Sequence, residues 1–182
     1  MRCYVACLAT DPIMTVIQSV VGDICQQFGL TQLIEKKRIP HITLKSPFEI
    51  ESTNDLERLL AAFAQRNDAT AFEITGFGSF NDDYVIYAKV QPSPQMLAVH
   101  NLLLGKLKKL PGIRESRYDV PDGKTYHITL GKNEELQGQG RNILRYLEQT
   151  TLRLTGTFDT LAIMKKEKKQ TYVYQSYQLR SL

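Results

Sequence analysis

No apolar run in the chain comes near the roughly 20 residues that a bilayer-crossing helix needs, so no membrane partner is expected. The opening Met1-Arg2-Cys3-Tyr4-Val5-Ala6 passes straight into a strand-like segment, without the extended apolar core and small-residue cleavage site of a signal peptide. A cytoplasmic protein is expected. Cysteine is scarce and odd in number: Cys3, Cys7 and Cys25 cannot build a disulfide framework in 182 residues and lack the paired spacing of a zinc site. They read as reduced small hydrophobes. Neither a Gly-x-x-x-x-Gly-Lys-Ser/Thr loop nor a Gly-x-Ser-x-Gly elbow is present, which leaves P-loop phosphoryl transfer and α/β-hydrolase chemistry without support. The charge excess is small. A net charge of +4 and a pI near 8.9 suit an anionic ligand such as a phosphate or a short RNA end, and are too weak for a protein that wraps duplex nucleic acid.

What the chain does contain is one string used twice. His41-Ile42-Thr43-Leu44 recurs 86 residues later as His127-Ile128-Thr129-Leu130, and the two copies use two of only three histidines. Each copy is β-branched and apolar at alternate positions, which predicts a strand. Successive strand side chains leave opposite faces, so His41 and Thr43 share one face and Ile42 and Leu44 the other; His127, Thr129, Ile128 and Leu130 divide in the same way. The apolar pairs can then anchor in a core while imidazoles and hydroxyls face a cleft. With an unperturbed pKa of about 6.5, an imidazole gives or takes a proton near neutral pH. Two of them facing one reacting centre can act as general base and general acid, and the threonine hydroxyls can donate to phosphate oxygens. Neither motif has an acidic residue at metal-ligand spacing, so no metal and no cofactor are expected. Metal-free acid/base attack on a phosphodiester remains.

The rest of the chain supplies two similar surroundings. The first begins with a strand over 2–9 and a helix from Asp11-Pro12 to Gly29, with Ile13, Ile17, Ile24, Cys25 and Phe28 on one stripe. The motif strand enters through Pro40; a helix capped by Thr53 or Asn54 then buries Leu56, Leu59, Leu60 and Phe63, and a hairpin of strands 72–80 and 84–90 follows. The order then repeats. A helix starting at Ser93-Pro94 carries Met96, His100, Leu103 and Leu107; a loop through Pro111, Pro121 and Asp122 leads to the second motif, a helix over 142–148, and strands over 152–158, 161–166 and 171–180. Phe72-Glu73-Ile74-Thr75-Gly76 is echoed by Leu152-Arg153-Leu154-Thr155-Gly156, and Tyr84-Val85-Ile86-Tyr87 by Tyr172-Val173-Tyr174. These patterns predict a single bilobal α+β domain over 1–182, built from a duplicated helix-strand-helix-hairpin unit. Its two pseudo-symmetric lobes are each expected to be an antiparallel sheet backed by two helices, facing a central cleft.

The paired His-x-Thr-x motifs in this layout resemble the two-histidine (2H) phosphoesterase superfamily, which includes bacterial and archaeal 2′-5′ RNA ligases and 2′,3′-cyclic phosphodiesterases. The resemblance spans nearly the whole chain. Pro40 to Leu44 with Phe48, the stretch from Ser79-Phe80 to Tyr87, Tyr126 to Gly131, and Tyr172-Val173-Tyr174 are similar to its small bacterial members. It implies a bilobal fold with one motif per lobe, no cofactor, His41 and His127 as the catalytic pair, and Thr43 and Thr129 as phosphate-oxygen donors. In hydrolysis His127 would activate water and His41 protonate the departing ribose oxygen, or the reverse, since the near-symmetry permits both. The implied partner is an RNA end or nucleotide bearing a cyclic phosphate, handled by a monomer; the alternative is a module that holds RNA or nucleotide phosphates without turnover. Other residues read more plainly. His100, among leucines, is structural. Lys45 reaches the histidine's face only if its strand persists, and Lys132 faces away. Lys165, Lys166, Lys168 and Lys169 form a solvated hairpin tip, and Phe48, Tyr84 and Tyr126 fill the core.

Overall fold

The computed structural model describes residues 1–120, 123–167 and 170–181; Pro121, Asp122, Lys168, Lys169 and Leu182 lie outside the described residues. In chain order the elements are β1 (Arg2–Leu8), α1 (Ile13–Phe28), α2 (Gln32–Glu35), β2 (His41–Glu49), α3 (Asn54–Ala64), β3 (Thr70–Phe80), β4 (Val85–Pro92), α4 (Pro94–Leu107), β5 (His127–Lys132), a 3₁₀ turn (Asn133–Leu136), α5 (Gly140–Leu147), β6 (Leu154–Phe158), β7 (Thr160–Glu167) and β8 (Gln170–Gln178). Local chemistry sets the helix ends. Asp11 accepts hydrogen bonds from the Thr15 N–H and hydroxyl at the start of α1, which stops at Gly29 with φ 68°. Ser93 Oγ accepts from the Met96 N–H, with Pro94 in the first turn of α4.

The strands form one eight-stranded sheet in the order β6-β3-β4-β5-β2-β1-β7-β8, and every ladder between neighbours is antiparallel. The α+β class with an antiparallel sheet and helical backing is therefore as expected, with one refinement. The two halves are continuous, joined where β2 meets β5 at the single pair Ile42↔Ile128. Each half has one motif strand at this seam, but the hairpin that follows a motif in sequence lies in the other half. The β3–β4 hairpin, downstream of the first motif, pairs with the second motif strand, and β7–β8 pairs through β1 with the first. The echoed strings of β3 and β6 lie side by side, Phe72↔Gly156 and Ile74↔Leu154.

One continuous core covers one face of the sheet. Ile13, Ile17 and Ile24 of α1, Leu56, Leu60 and Phe63 of α3, Met96, Leu103 and Leu107 of α4, and Ile143 of α5 join Val5, Ile42, Leu44, Ile86, Ile128 and Ile163 in it. The core runs beneath the seam and holds both halves together. Cys3, Cys7 and Cys25 are buried free thiols, and burial pushes Cys7 up to about 12. The opposite face has a smaller cluster of Ala6, Ala162 and Met164, flanked by Tyr4, Leu8, Ile39 and Val173.

Candidate active site

Alternation divides both motifs as their sequences predict: Ile42, Leu44, Ile128 and Leu130 are buried, whereas His41, Thr43, His127 and Thr129 are half-buried on the opposite face. Because Ile42 stands across from Ile128 in an antiparallel pair, continuing that register sets His41 opposite Thr129 and Thr43 opposite His127. The structure thus brings all four side chains to one face of two adjacent strands, with the histidines on the diagonal. Side chains on such a diagonal lie within reach of a shared small ligand, their α-carbons being about 7–8 Å apart.

Both rings are oriented in the same way. His41 Nδ1 lies 2.7 Å from the Ile39 carbonyl oxygen, and His127 Nδ1 lies 2.9 Å from that of Thr125. A carbonyl can only accept, so each neutral ring carries its proton on Nδ1 and leaves Nε2 as the basic atom. The Tyr4 hydroxyl, 3.3 Å from His41 Nε2, can donate to it. His127 is instead packed against Phe80 and Tyr87, at 5.0 and 5.2 Å between ring centres, and those two rings stack on each other at 4.2 Å. Burial lowers His41 to about 4; the Ile39 carbonyl opposes this, while the charges of Arg38, His127 and Lys132 add to it. Burial also lowers His127, opposed by the Thr125 carbonyl and assisted by Lys124.

The lysines just past the motifs depart from simple alternation, because both ladders bulge at the motif leucine. β1–β2 pairing runs from Ala6↔Thr43 to Val5↔Lys45, skipping Leu44, and β4–β5 pairing from Tyr87↔Thr129 to Ile86↔Gly131, skipping Leu130. An extra residue shifts the alternation by one. Lys45 therefore turns off the histidine face into a buried ion pair with Asp119 at 2.6 Å, where Asp119 also accepts from the Ser46 N–H and hydroxyl. Lys132 comes round onto that face, is exposed, and its charge acts on His41. Beside it Glu135, only 2% exposed, accepts from Lys36 at 2.8 Å and from Arg38 at 2.8 and 2.6 Å. Burial pushes Glu135 up, but Lys36 and Arg38 outweigh it and hold the carboxyl below the usual range. Lys36, Arg38 and Lys166 in turn add to burial in lowering Lys132.

Other expectations resolve individually. His100, Phe48 and Tyr126 are buried, but Tyr84 is 51% exposed, leaving a turn in which Asn81, Asp82 and Asp83 all have positive φ. Lys165 is buried beneath β8, with Nζ over the Tyr174 ring at 3.1 Å, because alternation in β7 turns it to the helical side. Lys166 is exposed. A cavity of about 570 Å³ at the Asn81–Tyr84 turn contains no motif residue, whereas one of about 430 Å³ between α1, α2 and β5 reaches Arg38, Pro40 and Thr129.

The sequence model of the 2′-5′ RNA ligase superfamily matches residues 17–170. The chain belongs to this superfamily, within the 2H phosphoesterases. No curated protein sequence matches it. Among solved structures, this superfamily member is similar to TT0787 of Thermus thermophilus, with a TM-score of 0.68 at 17% identity over 100% of this chain and 99% of that one. It is also similar to Escherichia coli LigT, with a TM-score of 0.60 at 14% identity in a complex with 3′-AMP and 0.59 at 13% in one with NADP+; each covers 98% of this chain and 97% of LigT. At these identities the likeness establishes the fold. Tyr4 and the Phe80–Tyr87 stack went unassigned from the sequence because they meet the motifs only through strand neighbours, and Lys132 was placed on the wrong face because the bulge has no local signal. The aromatic run from Phe80 to Tyr87 was the one signal that could have found the stack.

Proposed function

We propose that the protein is a metal-independent phosphoesterase that opens 2′,3′-cyclic phosphates on RNA ends or nucleotides, or joins RNA ends through a 2′-5′ bond, with His41 and His127 as its acid/base pair. It acts as a cytoplasmic monomer without a cofactor. One observation carries this reading: two imidazoles on one sheet face, each with Nδ1 tied to a carbonyl and Nε2 left as the basic atom, beside two threonine hydroxyls. The nucleotides held by LigT, a protein of the same fold, agree with a nucleotide or RNA end as ligand.

In hydrolysis one Nε2 takes a proton from water as the water oxygen attacks phosphorus. The bond from phosphorus to one ribose oxygen breaks, and the other imidazolium gives that oxygen a proton. Each positioned transfer contributes roughly 10²–10⁴-fold. Thr43 and Thr129 donate to the non-bridging oxygens, and Lys132 supplies positive charge on their side. The surroundings of the rings favour His41 as base, because Arg38 and Lys132 both disfavour its protonation. His127, with Lys124 as its cationic neighbour, is then the acid. Ligation uses the same groups in exchanged roles.

The test incubates the protein with cyclic-phosphate-ended oligonucleotides in EDTA, beside His41→Ala and His127→Ala. Turnover is expected from the wild type and a loss of at least about 10²-fold in each variant. Equal product from all three proteins sinks the mechanism. Tight binding without product identifies a phosphate-binding module instead.

A further inference from the structure

Between the motif strands the ladder almost stops, since among the described residues β2 and β5 pair only at Ile42 and Ile128. A catalytic constellation nevertheless needs its parts held to within about 0.5 Å. On the helix-covered side of the sheet, one side chain spans the gap. His100 of α4 is fully buried, with Nε2 2.9 Å from the Leu44 carbonyl oxygen and Nδ1 2.6 Å from the Tyr126 hydroxyl. The carbonyl fixes the tautomer: Nε2–H donates to Leu44, and Nδ1 accepts from Tyr126. Leu44 is the bulge residue that the β1–β2 register skips, and Tyr126 immediately precedes His127. A rigid ring therefore links the first motif's bulge to the entry of the second motif.

We propose that His100 is a positioning residue that sets the spacing of the two motif strands and, through them, the separation of His41 from His127. This rests on the reading of those two histidines as the catalytic pair. His100 itself lies behind the sheet and acts through Leu44 and Tyr126. An apolar residue in its place removes the link between the Leu44 carbonyl and the Tyr126 hydroxyl and leaves the spacing of the two motif strands to the core packing alone. A glutamine amide restores one N–H and one acceptor oxygen.

The experiment compares wild type, His100→Leu, His100→Gln and Tyr126→Phe, each first shown to be folded by circular dichroism. Two readouts are taken: turnover of a cyclic-phosphate oligonucleotide, and the Ile42–Ile128 methyl NOE in isoleucine-labelled protein, scaled to the Ile13–Ile17 NOE within α1. For His100→Leu and Tyr126→Phe the scaled NOE is expected to weaken at least twofold, with kcat falling about 10- to 100-fold at little-changed KM, the scale of a 1 Å misplacement. His100→Gln is expected to recover both. If His100→Leu does not fold, Tyr126→Phe makes the same comparison. An unchanged NOE overturns the proposal whatever kcat does, and so does a weakened NOE with unchanged kcat. A wild type without turnover defeats the phosphoesterase reading instead, and the NOE alone then decides whether His100 spaces the strands.

Discussion

His41 and His127 each give the Nδ1 proton to a carbonyl two residues upstream, and this shared device makes two unlike rings chemically comparable. The proposed acid/base cycle needs one ring neutral and one protonated. In the free protein both are neutral at pH 7, because burial holds His41 at about 4 and His127 below its ordinary value. The singly protonated pair becomes more abundant as pH falls through the His127 value and disappears as pH falls through that of His41. The kcat/KM profile is therefore expected to be a bell with an acidic maximum, between about 4 and 6.5; a flat profile from pH 5 to pH 8 refutes the assignment. His100 has a linked effect on stability. Burial lowers it from about 6.5 to about 4, so its contribution is complete above pH 6.5 and is lost as pH falls through 4, amounting to about 3 kcal/mol. The urea midpoint of the wild type is expected to fall between pH 7 and pH 4.5, and His100→Gln to lessen that dependence while the share of His41 and His127 remains.

At the scale of elements, the paired bulges decide what each motif presents. Strand alternation was legible from Ile42, Leu44, Ile128 and Leu130, since a period of two is a property of the local backbone. The bulge was not, because an extra residue in one strand exists only relative to its partner. This is why Lys45 and Lys132 exchange the roles that simple counting assigns them. Lys132→Ala is expected to raise KM for a phosphate substrate severalfold while changing kcat less, measured by steady-state kinetics. On the buried side, Asp119→Ala leaves Lys45 without its carboxylate in the core and is expected to cost about 3–5 kcal/mol in denaturant unfolding. Lys45→Met is expected to cost less, since Asp119 keeps the Ser46 N–H and hydroxyl.

Over the whole molecule, positive charge gathers on one flank of the site although the net charge is only +4. Lys36, Arg38, Lys132 and Lys166 meet there, and Glu135 neutralises part of them. Raising salt from about 50 to about 200 mM is expected to weaken an oligonucleotide substrate more than a mononucleotide cyclic phosphate, if the proposed substrate lays its extra phosphates along this flank. Equal salt slopes in KM for the two substrates contradict that placement. The exchanged hairpins belong to this scale as well: neither β3–β4 nor β7–β8 has a local signal naming the half it joins, because sheet order depends on contacts between residues distant in sequence. The sequence by itself determined the strands, the helical stripes, the α+β class and the division of each tetrapeptide into core and cleft, all of which follow from local periodicity and turn chemistry. Only the tertiary structure decided that His41 meets Tyr4, that Lys132 faces the site, and that His100 joins the two motif strands. Bulges, burial and the neighbours of a ring come into being only when separate strands pack together.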